Sequence, residues 1–122
     1  MINKFDWKKK SGVYIGRFQP FHNGHKKVFL NILKKNAQVT ILVMDSFGIN
    51  KKNPFKFPYV KKIIKKMLKE YEGKYTIIKI PVVSEVVYGR KTGYKIRNVK
   101  LSKKIEGISA TKIRRSLFNN EK

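Results

Sequence analysis

Along the chain, short continuous apolar runs alternate with segments in which apolar residues recur at helical spacing. The runs GVYIGRF from Gly12, QVTILVMD at 38–45 and YTIIKIPVV at 75–83 are typical of strands, and continuous apolar runs are typical of strands buried on both faces. EVVYG at 85–89 predicts a fourth strand, and GYKIRNVKL at 93–101 predicts a short additional one.

Two helices are predicted between these strands. In the first, which starts at about Asn23, the apolar side chains share one face and lysines occupy the other. The second has apolar residues at i, i+3, i+4, i+7, i+8 and i+11, and Gly73 is its predicted C-cap. Those apolar positions are Val60, Ile63, Ile64, Met67, Leu68 and Tyr71.

The late segment ISATKIRRSLF, residues 108–118, predicts a loop that enters a third helix, with Ser109 or Thr111 as the N-cap. Strands that alternate with helices in so short a chain predict an α/β fold, in which a parallel sheet carries helices on both faces. We expect residues 1–11 to be a polar lead-in, with Phe5 and Trp7 docked on the body, and residues 12–122 to form one domain. Ligands of such sheets bind beyond the carboxyl ends of the strands.

The composition of the chain argues against several functional classes. The chain has 122 residues, no cysteine and a formal net charge of +23. The charge leaves nucleic-acid binding open but does not favour it, since the lysines are spread along the chain as on solvated faces. Only seven residues are acidic, and none pair beside a motif, which argues against two-metal nucleases and glycosidases. With no signal segment and no apolar run long enough for a bilayer, we expect a soluble cytoplasmic protein without a membrane partner.

The segment GRFQPFHNGH, residues 16–25, holds both histidines of the chain, His22 and His25. Their spacing would suit a metal on a helix, but the further ligands that zinc requires are lacking. A helix that starts at Gly24 would instead offer backbone N–H groups to a phosphate, with the two imidazoles and Arg17 as further donors. We therefore expect no metal ligand among the protein side chains and a phosphate site at this turn.

GRFQPFHNGH resembles the first signature of the HxGH nucleotidyltransferase superfamily, and ISATKIR resembles its second. The GRFQPFH form is similar to that of adenylyltransferases acting on nicotinamide mononucleotide, as is the segment from Asn53 to Phe55. VVYGRKTGYKI, residues 86–96, departs from those enzymes and looks more like short cytidylyltransferase-like proteins. The resemblance covers roughly residues 12–118 and implies a Rossmann-like, nucleotidyltransferase-like domain.

The resemblance implies that a phosphate monoester attacks the α-phosphorus of ATP or CTP and that pyrophosphate leaves. It implies catalytic roles for His22, His25 and Arg17, with His25 on the α-phosphate, and Mg²⁺ carried by the triphosphate and water. The implied nucleotide-binding set is Gly16, Arg17, Phe18, Gln19, His22, Gly24, His25, Ser109, Ala110, Thr111, Lys112 and Arg114. Candidates for acceptor or base contacts are Asp45, Phe47, Asn53, Phe55, Tyr88 and Arg90.

Three functions stay open at this point. Transfer of AMP from ATP to a small phosphorylated acceptor, such as nicotinamide mononucleotide, is favoured. Transfer of CMP from CTP to a phosphorylated alcohol or sugar is the enzymatic alternative, and a non-catalytic nucleotide- or nucleic-acid-binding module is the alternative of another class. We also expect a homo-oligomer, since a domain this small gains stability by assembly.

Overall fold

The computed structural model describes residues 4–45, 54–90 and 93–99. Its helices and strands follow the sequence prediction in order and type up to residue 81. They are β1 (Gly12–Gly16), α1 (Asn23–Lys35), β2 (Val39–Asp45), α2 (Phe57–Met67), a 3₁₀ turn (Lys69–Tyr71) and β3 (Tyr75–Pro81).

The three strands form one parallel sheet in the order β1-β2-β3. Gly12 lies opposite Val39, and Val39 lies opposite Tyr75, so the strands start in register at the amino edge of the sheet. The predicted α/β class with a parallel sheet is confirmed. All three carboxyl ends meet at one edge, where the segment after β1 lies.

Both described helices pack on the same face of the sheet. Alternate residues of β2 (Val39, Ile41 and Val43) are fully buried there, in one cluster with Phe29 of α1 and Ile64 of α2. The helix predicted at 108–118, a candidate cover for the opposite face, lies outside the described residues. No helix in the described ranges combines the length and apolar character that crossing a membrane requires.

The prediction of strands at 85–89 and 93–101 is wrong for the residues that are described. Residues 85–89 and 93–99 have no strand structure, and most of their side chains are exposed. Only three residues separate Pro81 from Glu85, whereas a parallel strand needs a crossover of a dozen or more. Local β-propensity is therefore not enough to make 85–89 a further parallel strand of this sheet.

The second helix is shifted towards the N-terminus relative to its prediction. It begins at Phe57, with Pro58 in its first turn where proline needs no N–H donor, and Leu68 is its C-cap. Gly73 is not the cap of α2. It follows the 3₁₀ turn instead, and its φ of 87° provides the left-handed residue that turns the chain into β3.

The lead-in is attached through Gln38, at the amino end of β2. The Gln38 amide accepts a hydrogen bond from the Asp6 N–H (3.0 Å) and donates to the carbonyls of Asp6 (2.7 Å) and Lys9 (3.1 Å). Trp7 packs edge-on against Phe5 but is 73% exposed, so its predicted docking on the body is wrong.

Gly12 allows α1 to approach β1 closely, which provides a stability test. A Cβ at Gly12 would lie 2.4 Å from Cγ2 of Ile32, whereas a Cβ at Gly89 would meet nothing within 4 Å. We expect Gly12→Ala to lower the free energy of unfolding by about 1–3 kcal/mol, because the helix must shift from the sheet. Gly89→Ala, measured by the same urea titration, should change it by about 0.5 kcal/mol or less. Equal effects of the two variants would contradict this packing.

Candidate active site

The two histidines are fixed by hydrogen bonds to the backbone at the start of α1. His22 is the N-cap, and its Nδ1 accepts a hydrogen bond from the Gly24 N–H at 3.0 Å. The Nδ1 of His25 accepts in return from the N–H of His22 at 3.1 Å. This reciprocal capping brings the two ring centroids to 3.8 Å. The N–H of Gly24, which the sequence analysis offered to a phosphate, is therefore occupied by His22.

The capping bonds determine which nitrogen of each ring carries the proton. A neutral imidazole has one donor and one acceptor nitrogen, and in both rings Nδ1 is the acceptor. The remaining proton is then on Nε2 in each case. The structure therefore presents two Nε2–H donors from adjacent rings, a donor pair suited to the oxygens of one phosphate chain.

Burial keeps both imidazoles neutral in the free protein. It lowers the pKa of His25 to about 3, with a further contribution from the proximity of His22, and it lowers the pKa of His22 as well. A bound anion would act in the opposite direction, because a nearby negative charge favours imidazolium. The pair is thus neutral in the free protein and would gain affinity for protons beside a bound anion.

Aromatic side chains surround His25 and set its orientation. Phe21 stacks on its ring at 5.4 Å, Phe18 contacts it edge-on at 5.0 Å, and Tyr14 of β1 lies 6.4 Å away. Tyr14 was missed by the sequence analysis, although the two-residue alternation of β1 places it on the helix-bearing face. Burial raises the pKa of Tyr14, so its hydroxyl stays protonated.

The low pKa of His25 predicts that acid destabilises the fold. In the unfolded chain a histidine has a pKa of about 6.5, so below that pH the unfolded state binds a proton that the folded state excludes. The contribution of His25 to stability is complete above about pH 6.5 and is lost as the pH falls towards 3. The free energy of unfolding should fall by up to about 1.4 kcal/mol per pH unit in that range.

Urea titrations between pH 7 and 5 measure this effect. The His25→Gln variant should show a shallower pH dependence than the wild type, with a remaining slope from His22. Parallel curves for the two proteins would contradict the assigned protonation state.

Gln19 connects the turn after β1 to the segment before α2. Its side-chain amide donates to the carbonyl of Phe55 and accepts from the Phe55 N–H, both at 2.9 Å. The side chains of Phe18 and Gln19 are buried, so contacts of these residues with a nucleotide would come from their backbone. Phe55 stacks on Tyr59 at 4.8 Å, beside the same turn.

The other candidates differ in how far the structure places them. Arg17 follows β1 directly and is exposed, while Asp45 ends β2 and forms an ion pair with Lys79 at 3.2 Å. Tyr88 and Arg90 lie in the exposed segment after β3, where Tyr88 packs edge-on against Tyr94. Outside the described residues lie Phe47, Asn53, Ser109, Ala110, Thr111, Lys112 and Arg114. The structure brings together His22, Gly24 and His25, with the Gly16–Gln19 turn adjoining them.

Comparisons with known proteins point to one group. The family model described as cytidylyltransferase-like matches residues 13–81. Nicotinamide-nucleotide adenylyltransferase of Methanococcus aeolicus is 30% identical over 137 aligned positions, which cover 88% of this chain and 77% of that protein. The enzyme of the same name from Picrophilus torridus is 36% identical over 69 positions, or 56% of this chain and 40% of that protein.

A solved structure agrees with these sequence matches. A bifunctional NMN adenylyltransferase/ADP ribose pyrophosphatase from Francisella tularensis, crystallised with AMP and a manganese ion, superposes with a TM-score of 0.55 and 30% identity. The match covers 67% of this chain and 23% of that one. The chain thus spans about three quarters of the Methanococcus protein but less than half of the other two.

Proposed function

Because the chain belongs to the cytidylyltransferase-like family, we propose that it is a nucleotidyltransferase that transfers AMP from ATP to nicotinamide mononucleotide. The observation that carries this proposal is the pair of Nε2–H donors of His22 and His25 at the carboxyl edge of the sheet. The choice of adenylate and of this acceptor is supported by the names of the two relatives and of the structural neighbour.

The proposed reaction is a single displacement at phosphorus. A phosphate oxygen of nicotinamide mononucleotide attacks the α-phosphorus of ATP, and a new P–O bond forms. The bond from the α-phosphorus to the bridging oxygen of the β-phosphate breaks, and pyrophosphate leaves with its electron pair. The attacking monoester is already anionic near neutral pH, so no side chain is needed as a general base. A reaction that needs no general base agrees with a site whose side chains are hydrogen-bond donors.

Catalysis then consists of positioning and of stabilising the charge that moves to the leaving oxygens. His25 is fixed by its Nδ1 hydrogen bond and by the rings of Phe18 and Phe21, so its Nε2–H is oriented before the substrate binds. We assign it to the α-phosphate, and His22 and Arg17 to neighbouring oxygens. The ISATKIR segment is proposed to hold the β- and γ-phosphates through Ser109, Thr111 and the amides of residues 110–112.

Magnesium is proposed to enter with the nucleotide. No group of three or more potential metal-ligating side chains occurs in the part of the chain that the structure describes, and Asp45 is paired with Lys79. We propose that the triphosphate and water hold the cation, which would neutralise phosphate charge there.

Transfer of CMP from CTP to a phosphorylated alcohol is the second candidate, favoured by the description of the matching family. A pyrophosphate-release assay with ATP or CTP, each against nicotinamide mononucleotide, glycerol phosphate and choline phosphate, separates the two. We expect release only with ATP and nicotinamide mononucleotide. Release only with CTP would favour the second candidate. No release with any pair, together with DNA or RNA binding that weakens steeply with salt, would favour a binding module.

A further inference from the structure

We propose that residues 85–89 of one copy pair with the outer edge of β1 in a second copy, and the reverse, so that the protein forms a strand-exchanged homodimer. The outer edge of β1 is the side that faces away from β2. This proposal concerns assembly and holds whether or not the chain transfers adenylate.

The first observation is that no second strand pairs with β1 in the ranges that the structure describes. Among the described residues, β1 pairs only with β2. The N–H of Gly12 bonds to the carbonyl of Gln38 on the β2 side. Since backbone groups alternate between the two edges of a strand, the N–H and C=O groups of Val13 and Ile15 face the outer edge. A row of such groups is a template for another strand.

The second observation is a segment of strand-forming composition that has no strand partner in the described part of the chain. Residues 85–89, EVVYG, combine β-branched and aromatic side chains, which favour strands. In the structure they are irregular, and Val86, Val87 and Tyr88 are 68%, 75% and 51% exposed. On β1, Val13 is 56% exposed. Apolar surface is therefore exposed both on the segment and on the strand that we propose as its partner.

The third observation is that the link after β3 is too short for residues 85–89 to pair in parallel with β1 of the same molecule. From Pro81 to Glu85 there are four Cα–Cα steps, which span at most about 14 Å. A parallel strand beyond β1 would have to start about 14 Å across the sheet and about 16 Å back along it, roughly 21 Å away. An antiparallel strand there would need the link fully extended across the carboxyl edge, over the histidine site. The position of a second copy is not fixed by this link, so residues 85–89 can pair with β1 of that copy.

The distribution of charge also favours β1 and residues 85–89 as the contact surfaces. Two chains of charge +23 repel each other, so an interface should use their least cationic parts. GVYIG of β1 has no charged residue, and residues 85–89 carry only Glu85. The dissociation constant of the dimer should therefore fall with added salt, because salt screens the overall repulsion while apolar contacts and strand pairing persist.

The segment lies beyond the part of the chain that the family model matches, which ends at residue 81. The alignment with the Methanococcus enzyme has more positions, 137, than this chain has residues, so that relative has residues within the matched region that this chain lacks.

Light scattering on the full-length chain after size exclusion tests the proposal. We expect a dimer at about 50 μM, and Val87→Lys should raise the dissociation constant at least about 100-fold, since each dimer contains the substitution twice. Trp7→Lys, at an equally exposed apolar side chain that belongs to neither of the two stretches, should leave the dimer unchanged. Val13→Pro, which removes one outward N–H, should weaken it independently.

A cross-link identifies the contact itself. The chain has no cysteine, so Val87→Cys in one tagged copy and Ile15→Cys in another should form an intermolecular disulfide when mixed and oxidised. Trp7→Cys mixed with Ile15→Cys should not. A monomeric wild type, an unaltered Val87→Lys dimer, or equal cross-linking of both mixtures would overturn the proposal.

Discussion

Replacing His25 by alanine is expected to lower kcat for dinucleotide formation by about 100- to 1000-fold. This is the usual loss when one fixed donor to a developing charge is removed. The Nε2–H of His25 is oriented before substrate binds, because Nδ1 accepts from the His22 N–H and Phe21 stacks on the ring. Its contribution should be largest in the transition state, so KM for ATP should change much less than kcat.

The matched control is Lys27→Ala, on the exposed side of the same helix two residues later. It removes a cation from the site region without touching the capping bonds, and it should retain kcat within about a factor of three. His25→Ala also loses a cap, so its folded fraction must be verified by circular dichroism at the assay temperature. A folded His25→Ala variant with wild-type kcat would show that His25 has no role in the reaction.

The largest expected effect on stability is that of Phe18→Ala. Phe18 is 2% exposed, packs against Tyr14, Phe21 and His25, and has a φ of 53°, which is unusual for a bulky residue. Truncation leaves a cavity under the histidine turn while alanine keeps the unfavourable φ. We expect the free energy of unfolding to fall by about 3–5 kcal/mol, a large share of the ~5–15 kcal/mol typical of a domain.

Urea denaturation at one fixed protein concentration measures this loss, since a dimer makes stability concentration-dependent. Trp7→Ala is the control, because Trp7 is also aromatic but mostly exposed, and it should cost about 1 kcal/mol or less. Similar losses for Phe18→Ala and Trp7→Ala would mean that Phe18 does not support the site as described.

The sequence predicted well those parts of the fold that depend on local periodicity. The strands β1, β2 and β3 and the helix α1 are where apolar spacing placed them, and α2 is shifted towards the N-terminus, because each apolar face is buried in one common core. The strand predicted at 85–89 failed because pairing is not a local property. EVVYG has the composition of a strand, but it is irregular in the structure, and the three-residue link after β3 is too short for the crossover that a further parallel strand needs.

The two histidines of the candidate site were recognisable in the sequence from their spacing and neighbours. Their geometry was not, because the tautomer with both protons on Nε2 follows only from the capping bonds. The pairing of Gln19 with the Phe55 backbone joins residues 36 apart in sequence, and periodicity carries no signal for it. The roles assigned to Asp45, Tyr88, Arg90 and the ISATKIR segment stay predictions.

The central claim is that this chain joins adenylate to a phosphate monoester at the histidine pair. The most direct test follows the α-phosphorus of labelled ATP in the presence of nicotinamide mononucleotide and Mg²⁺, with products separated and identified by mass. We expect wild type to transfer the label into the dinucleotide with one unlabelled pyrophosphate per transfer, and folded His25→Ala to do so at least about 100-fold more slowly. Label that stays in ATP, or that appears only in free AMP, would contradict it.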